Sequence, residues 1–317
     1  MIKNSFSNEN ENSAPYLKRV FIYQKERFPL LGHGLLVASF SFSAIAYSRI
    51  CRGAEGFVSL KTYLVGIATT VTLFFLVRVF DEFKDQEEDA LHRQHLPVPR
   101  GLVSLRELAK LGILAAVFQI LINAWFFPKM LLIYLVVMAY LLLMSREFFI
   151  STWLKKHPFW YVVSHMMIVP LIDVYASGLD WLLEDAKAPT GLLFFFGVSF
   201  MNGIVLEIGR KIRVPEKEEV NTYSTMMGAT KATWLWLMVL IITLLLAVGA
   251  CWYAGYGQMG VVVLCSLFII CCLPAFLFLY KQSHAKSKFI EWASALWTIG
   301  MYLSLGGIPM LKQLLVS

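Results

Sequence analysis

Charge is scarce in this sequence. Only 15% of its 317 residues are Asp, Glu, Lys or Arg, where a soluble domain carries about 25%. Hydrophobic residues make up 58% and the mean hydropathy is +0.65. That balance excludes a soluble α/β enzyme, a disordered chain and a collagen-like repeat. Cysteine is sparse too. Cys51, Cys251, Cys265, Cys271 and Cys272 form no C-x-x-C pair and have no histidine companions, so neither a zinc site nor a disulfide framework is expected. Four of them lie in apolar runs, as small hydrophobes do. An apolar leader is also lacking: about 28 polar or mixed residues precede the first long hydrophobic run, so no cleavable signal peptide is expected. Residues Met1–Ser13 read as a disordered tail, and 1–28 as a segment outside the membrane.

What the chain has instead is long hydrophobic runs. A helix needs about 20 mostly apolar residues to cross a bilayer. Nine windows qualify: Pro29–Ile50, Phe57–Phe80, Leu105–Phe126, Met130–Met144, Phe159–Ser177, Thr190–Leu206, Ala232–Ala254, Met259–Tyr280 and Phe289–Leu311. The expected fold is all-α: a polytopic membrane protein of nine helices around a central cavity. One membrane domain, residues 29–317, follows the tail, with motif loops at about 81–104 and 207–231. Of the 28 Lys and Arg residues, 22 fall on the side that holds the N-terminus, which puts that end and the long loops in the cytoplasm. The net charge of +7 is then a topology signal that also favours anionic phosphate. No nucleic-acid partner is expected.

The informative stretch runs from Arg78 to Asp89. Six of the 21 acidic residues fall in nine positions: Asp81, Glu82, Asp85, Glu87, Glu88 and Asp89. If span 2 continues as helix, Asp81, Asp85 and Asp89 share one face at i, i+4 and i+8, where neighbours stand about 5–6 Å apart and like charges repel. Mg²⁺ relieves such repulsion naturally, since it takes one or two carboxylates, several waters and substrate phosphate oxygens. The bland alternative is a solvated acidic helix end paired with Lys84 and Arg93. Carboxylates at the mouth of a membrane span are costly and usually functional, which favours the metal.

With nine spans, an inward N-terminus and this motif, the chain resembles the UbiA-type intramembrane prenyltransferases. Their first motif reads N-D-x-x-D-x-x-x-D; here it is Asp81-Glu82-x-x-Asp85-x-x-x-Asp89, which keeps oxygen ligands at each place. The family follows it with R-P-L-x-x-G, and Leu96-Pro97-Val98-Pro99-Arg100-Gly101 keeps the Pro and the Gly but lacks the leading Arg. The family's second D-x-x-x-D motif, after span 6, corresponds to Asn202–Ser224. Its Asp pair is absent, Glu207 stands at the membrane edge with Lys211 four residues on, and Val220-Asn221-Thr222 resembles the family's G-[IV]-x-T ending.

The resemblance implies a Mg²⁺-dependent enzyme acting on a polyprenyl diphosphate such as geranyl, farnesyl or geranylgeranyl diphosphate. Asp81, Asp85 and Asp89 would be catalytic, with Glu82 and Glu207 as further metal ligands. Arg78, Arg210, Lys211 and Arg213 would bind diphosphate, as would Lys155-Lys156, where the family often has a Lys-Arg pair. Two readings of the second motif stay open. Either Glu207 ligates metal beside diphosphate-binding cations, or Glu207 and Lys211 form an ordinary i,i+4 pair and the basic residues are topology anchors. Lys155 and Lys156 divide the same way. Inside the membrane, His165, Asp173, Asn123 and Asn202 are polar candidates, and Pro170 kinks span 5. Aromatic faces could stabilise an allylic cation. Transfer to an acceptor is the leading expectation and cyclisation of the same chain the alternative. A bacterial inner membrane, with the site facing the cytoplasm and membrane lipid around the bundle, completes the expectation.

Overall fold

The structure is a computed structural model that describes residues 11–214 and 222–311. The extreme N-terminal tail and residues 215–221 of the second motif, with Val220 and Asn221, lie outside the described residues. Among those described, nine helices are long and apolar enough to span a membrane: Leu30–Cys51, Leu60–Lys84, Leu105–Phe126, Pro128–Ser145, Pro158–Trp181, Leu192–Arg210, Ala229–Tyr253, Gly257–Tyr280 and His284–Leu311. They are spans 1 to 9 below. The outer faces carry apolar side chains such as Leu132 at 73% and Ile269 at 62% exposure, as a lipid-facing surface does. Spans 1, 5, 6 and 9 form the centre: span 1 packs on spans 2, 5 and 9, and span 6 on spans 5, 7 and 9.

Two spans run further than their apolar cores. Span 2 continues to Lys84 and span 6 to Arg210, so each carries the start of its charged motif, Asp81 and Glu82 or Glu207 and Arg210, on its last helical turns rather than on a loop. A helix keeps its backbone groups satisfied while charged side chains reach past the apolar layer, so charge alone does not end it. Span 5 is two helices, Pro158–Met166 and Ile168–Trp181, joined at Met167. Pro170 sits in the first turn of the second helix, where its missing N–H costs little.

Close approach in the centre depends on small residues, as expected where lipid gives no hydrophobic drive. Span 9 turns π-helical over Leu303–Gly307, and a Cβ at Gly306 would stand 2.3 Å from the Ser43 carbonyl oxygen of span 1. At the end of the bundle away from the motifs, Asp180 is fully buried. It accepts hydrogen bonds from Ser48 at 2.7 Å, Arg49 at 2.9 Å and Arg52 at 2.7 and 2.8 Å, locking span 5 to span 1.

The N-terminal segment departs from expectation. Residues Tyr16–Arg27 form a helix whose Tyr23 is 1% exposed against Val79, Leu102 and Leu108. Arg19 donates to Glu107 at 2.6 Å and to the Leu102 carbonyl at 2.8 Å, and Arg100 donates to Glu26 at 2.7 Å. The helix thus straps the loop between spans 2 and 3. Its 12 residues alternate charge and hydrophobe too finely to register as a span. Pro15 ahead of it and Lys25 and Arg27 in its last turn are the local signals for it.

Candidate functional site

At the end of span 2 the helix breaks at Asp85 and restarts as Gln86–His92. Hydrogen bonds from Asp85 N to Asp81 O and from Asp89 N to Asp85 O, both 2.9 Å, carry the i,i+4 register through the break. The three aspartates therefore keep their alignment along the chain but differ in environment. The Asp81 and Asp85 side chains are 30% and 35% exposed, with contacts to Lys84 of 3.5 and 3.9 Å and, for Asp81, to Arg78 of 3.8 Å. At those separations their oxygens remain open to another ligand. Burial pushes the Asp85 carboxyl up to about 6, with the Asp81 and Asp89 carboxylates adding to the rise and Lys84 opposing it.

Glu82 and Asp89, expected as metal ligands, are committed elsewhere. One residue of helix is about 100° of rotation, so Glu82 turns away from Asp81 and toward the N-terminal helix. There its side chain, 1% exposed, sits 2.6 Å from Arg27 Nε and 3.1 Å from an Arg78 amine. Asp89 pairs with Arg93 at 2.9 Å and lies 3.8 Å from Arg27. Arg27, which sequence reasoning left in the tail, is a positioning residue for this segment. Arg27→Ala is expected to lower the unfolding temperature in detergent, because Glu82 stays buried with one of its two close cationic partners removed; a thermal melt checks it.

Span 6 brings the second motif to the same end. Glu207 accepts from Lys211 at 2.6 Å and from Arg210 Nε at 2.8 Å, so of the two readings left open the structure contains the ion pair. Arg210 is 56% exposed and within electrostatic reach of both Asp81 and Asp85. Lys211 lies over the Tyr223 ring, 5.9 Å from its centroid, and burial with the nearby Glu207 carboxylate pushes the Tyr223 phenol up to about 12.

Other expected residues are not brought in. Arg213 turns to Glu291 of span 9 at 3.0 Å. Lys155 and Lys156 end the short helix Ser151–Lys156, exposed, with no ion pair among the described residues. Sequence reasoning missed two neighbours of the mouth, Tyr161 and His33. Lys84 donates to the Tyr161 hydroxyl at 2.9 Å, His165 stacks on Tyr161 at 4.0 Å, and His33 of span 1 is within reach of Arg78 and Arg210. Gly32 and Gly34 beside His33 face open space, and that G-H-G pattern at a span start was the available signal.

Among the described residues no three His, Cys, Asp or Glu side chains converge on one metal position, so the five-carboxylate ligand set is not met. Asp81 and Asp85 alone do fit Mg²⁺, which takes one or two carboxylates and completes its shell with water and phosphate. Arg210 is within electrostatic reach of both, and it and Lys211 are donors suited to diphosphate oxygens.

Solved structures share this architecture. A UbiA homolog from Aeropyrum pernix K1 superposes with a TM-score of 0.61 at 15% identity, covering 90% of this chain and 97% of that one. The structure reported for digeranylgeranylglyceryl phosphate synthase in membranes gives 0.56 at 14%, covering 91% and 99%. A UbiA homolog from Archaeoglobus fulgidus bound to DMAPP and Mg²⁺ gives 0.52 at 16%, covering 86% and 98%. No curated protein matches the chain. The UbiA prenyltransferase family profile matches residues 36–309, which takes in spans 2 to 8, most of spans 1 and 9, and both motifs, and the chain therefore belongs to the UbiA prenyltransferase family, as an integral multi-pass membrane protein of prenyl-diphosphate-using type.

Proposed function

We propose that this protein ionises an allylic polyprenyl diphosphate (geranyl, farnesyl or geranylgeranyl) and transfers the prenyl group to an acceptor. The observation that carries the reading is the opposition of the open Asp81–Asp85 carboxylates to Arg210 at one end of the bundle. Asp81 and Asp85 would hold Mg²⁺, which would supply charge neutralisation on the leaving oxygens. Arg210 and Lys211, steadied by Glu207, bind the diphosphate and share its negative charge. Lys84, fixed by Tyr161, lends a third positive charge at the carboxylates. The C1–O bond then breaks with its electron pair staying on the diphosphate, and the allylic cation is left facing the apolar interior, where aromatic faces favour it over water. Attack by an acceptor carbon or hydroxyl, with loss of its proton, completes the transfer. The proposed location is a bacterial inner membrane, and the excess of basic residues at the motif end supports a cytoplasmic site and an inward N-terminus.

The discriminating experiment analyses products of the purified protein with Mg²⁺ and each of the three diphosphates, first alone and then with membrane lipid extract. Prenylated product only when extract is present is the expected result. A cyclic hydrocarbon or terpene alcohol formed with no acceptor would overturn transfer in favour of cyclisation.

A further inference from the structure

The N-terminal helix, Tyr16–Arg27, has three faces, and the contacts described so far use only one. At about 100° of rotation per residue, Arg19, Tyr23 and Arg27 share the face that meets the bundle, where Arg19 holds Glu107 and Arg27 holds Glu82. Leu17, Val20, Phe21 and Gln24 form a second face, which Phe28 continues just past the helix end. Lys18 and Lys25 stand together on a third, beside Leu17 and Phe21 and away from the bundle. Leu17 and Phe21 are 79% and 58% exposed. Both lysines are exposed as well and form no ion pair among the described residues. Lys25 lies over the Phe21 ring, 5.7 Å from its centroid.

The second face borders a groove. A cavity of about 200 Å³ lies between this helix and spans 2 and 3, and its wall includes Val20, Gln24, Phe28, Thr72, Phe75 and Leu111. Phe28 and Phe75 meet edge to face at 5.7 Å. The polar side chains on the wall bond to their own backbone: Gln24 donates to the Phe28 carbonyl at 2.9 Å and Thr72 to the Ala68 carbonyl at 2.7 Å. Such a wall leaves little for water to bond and suits an apolar body. Leu30, also on the wall, is 51% exposed, so the groove opens toward the lipid-facing surface. On span 3, Lys110 adjoins Leu111 in the chain and is likewise exposed, with no ion pair among the described residues.

We infer that this groove binds an acyl chain of an anionic phospholipid, whose phosphate is held by Lys18 and Lys25. A helix with an apolar face flanked by lysines lies in the plane of the membrane interface, its lysine stems along apolar surface and their ammonium groups among the headgroups. Unpaired positive charge at the rim of an apolar groove complements a phospholipid at both of its ends, and Lys110 adds to that charge. A lipid so seated packs on the second face of the helix while Arg27, on the first, holds Glu82 of the acidic motif. The site thus steadies the segment that bears the motif, whichever reaction the motif serves.

The test is native mass spectrometry of the full chain released from detergent micelles, with dioleoyl phosphatidylglycerol as the probe and dioleoyl phosphatidylcholine as the control without net charge. The wild type is expected to retain a first phosphatidylglycerol at about tenfold lower lipid concentration than phosphatidylcholine, the scale set by two lysines at a charged lipid surface. Lys18→Gln combined with Lys25→Gln should lose that preference. Val20→Trp, which fills the groove, should lose retention of both lipids. The lysine variant alters only exposed side chains and serves if Val20→Trp fails to fold. Equal retention of the two lipids by the wild type overturns the site, as does a preference that survives in the lysine variant or unchanged retention by folded Val20→Trp.

Discussion

Asp85→Ala is expected to reduce Mg²⁺-dependent pyrophosphate release by roughly 10²–10³-fold, the scale of losing one preorganised electrostatic group at a transition state. Asp85 is one of the two carboxylates with open oxygens at the motif end, and the other two acids expected as ligands in this segment are held elsewhere. Glu82 is buried between Arg27 and Arg78, and Asp89 is paired with Arg93. The stability of the variant in detergent should match or exceed that of the wild type, because the change relieves crowding with Asp81 and Asp89 that helps push this carboxyl up to about 6. Activity within about tenfold of wild type, a size typical of outer partners, would take Asp85 out of the reaction.

The largest loss of stability is expected at the opposite end. Asp180→Ala leaves Arg49 and Arg52 facing one another in a buried pocket, with side chains 6% and 17% exposed. Removing one partner of a buried ion pair costs about 3–5 kcal/mol, so the variant should unfold at clearly lower temperature in the same detergent. Glu184 remains within 2.5 Å of Arg49 and softens the loss. A change of under about 1 kcal/mol would make the cluster equivalent to a surface ion pair. Because this lock is far from the motif end, the folded fraction should keep its Mg²⁺ response.

The fold was legible in the sequence wherever hydropathy decides it. Span 3 has the same bounds in both readings, Leu105–Phe126, and the other spans differ mainly where charged turns extend a helix, as at Lys84 and Arg210. Hydropathy marks where apolar side chains stop, while the helix stops only where its backbone does. The two motifs were legible for a similar reason, since charge packed at a span mouth stands out against 15% overall. What escaped was partner choice over long sequence separations. Glu82 and Arg27 are 55 residues apart, and Arg49 and Asp180 are 131 apart. Local spacing put Glu82 and Asp89 beside Asp81 and Asp85 but carried no information about the guanidinium groups that claim them. Likewise, the sequence marked Asp173 only as a polar residue inside the membrane, whereas the packing of spans 5, 6 and 9 buries it completely.

The central claim is that Asp81 and Asp85, opposed by Arg210, ionise a prenyl diphosphate with Mg²⁺. The most direct measurement is pyrophosphate release by the purified wild-type protein from geranyl, farnesyl and geranylgeranyl diphosphates in lipid extract, with Mg²⁺ and then with the metal chelated. Release from at least one of them that stops on chelation and returns when Mg²⁺ is restored is the predicted result. Release that continues unchanged under chelation, or none from any of the three with Mg²⁺ present, would contradict the account.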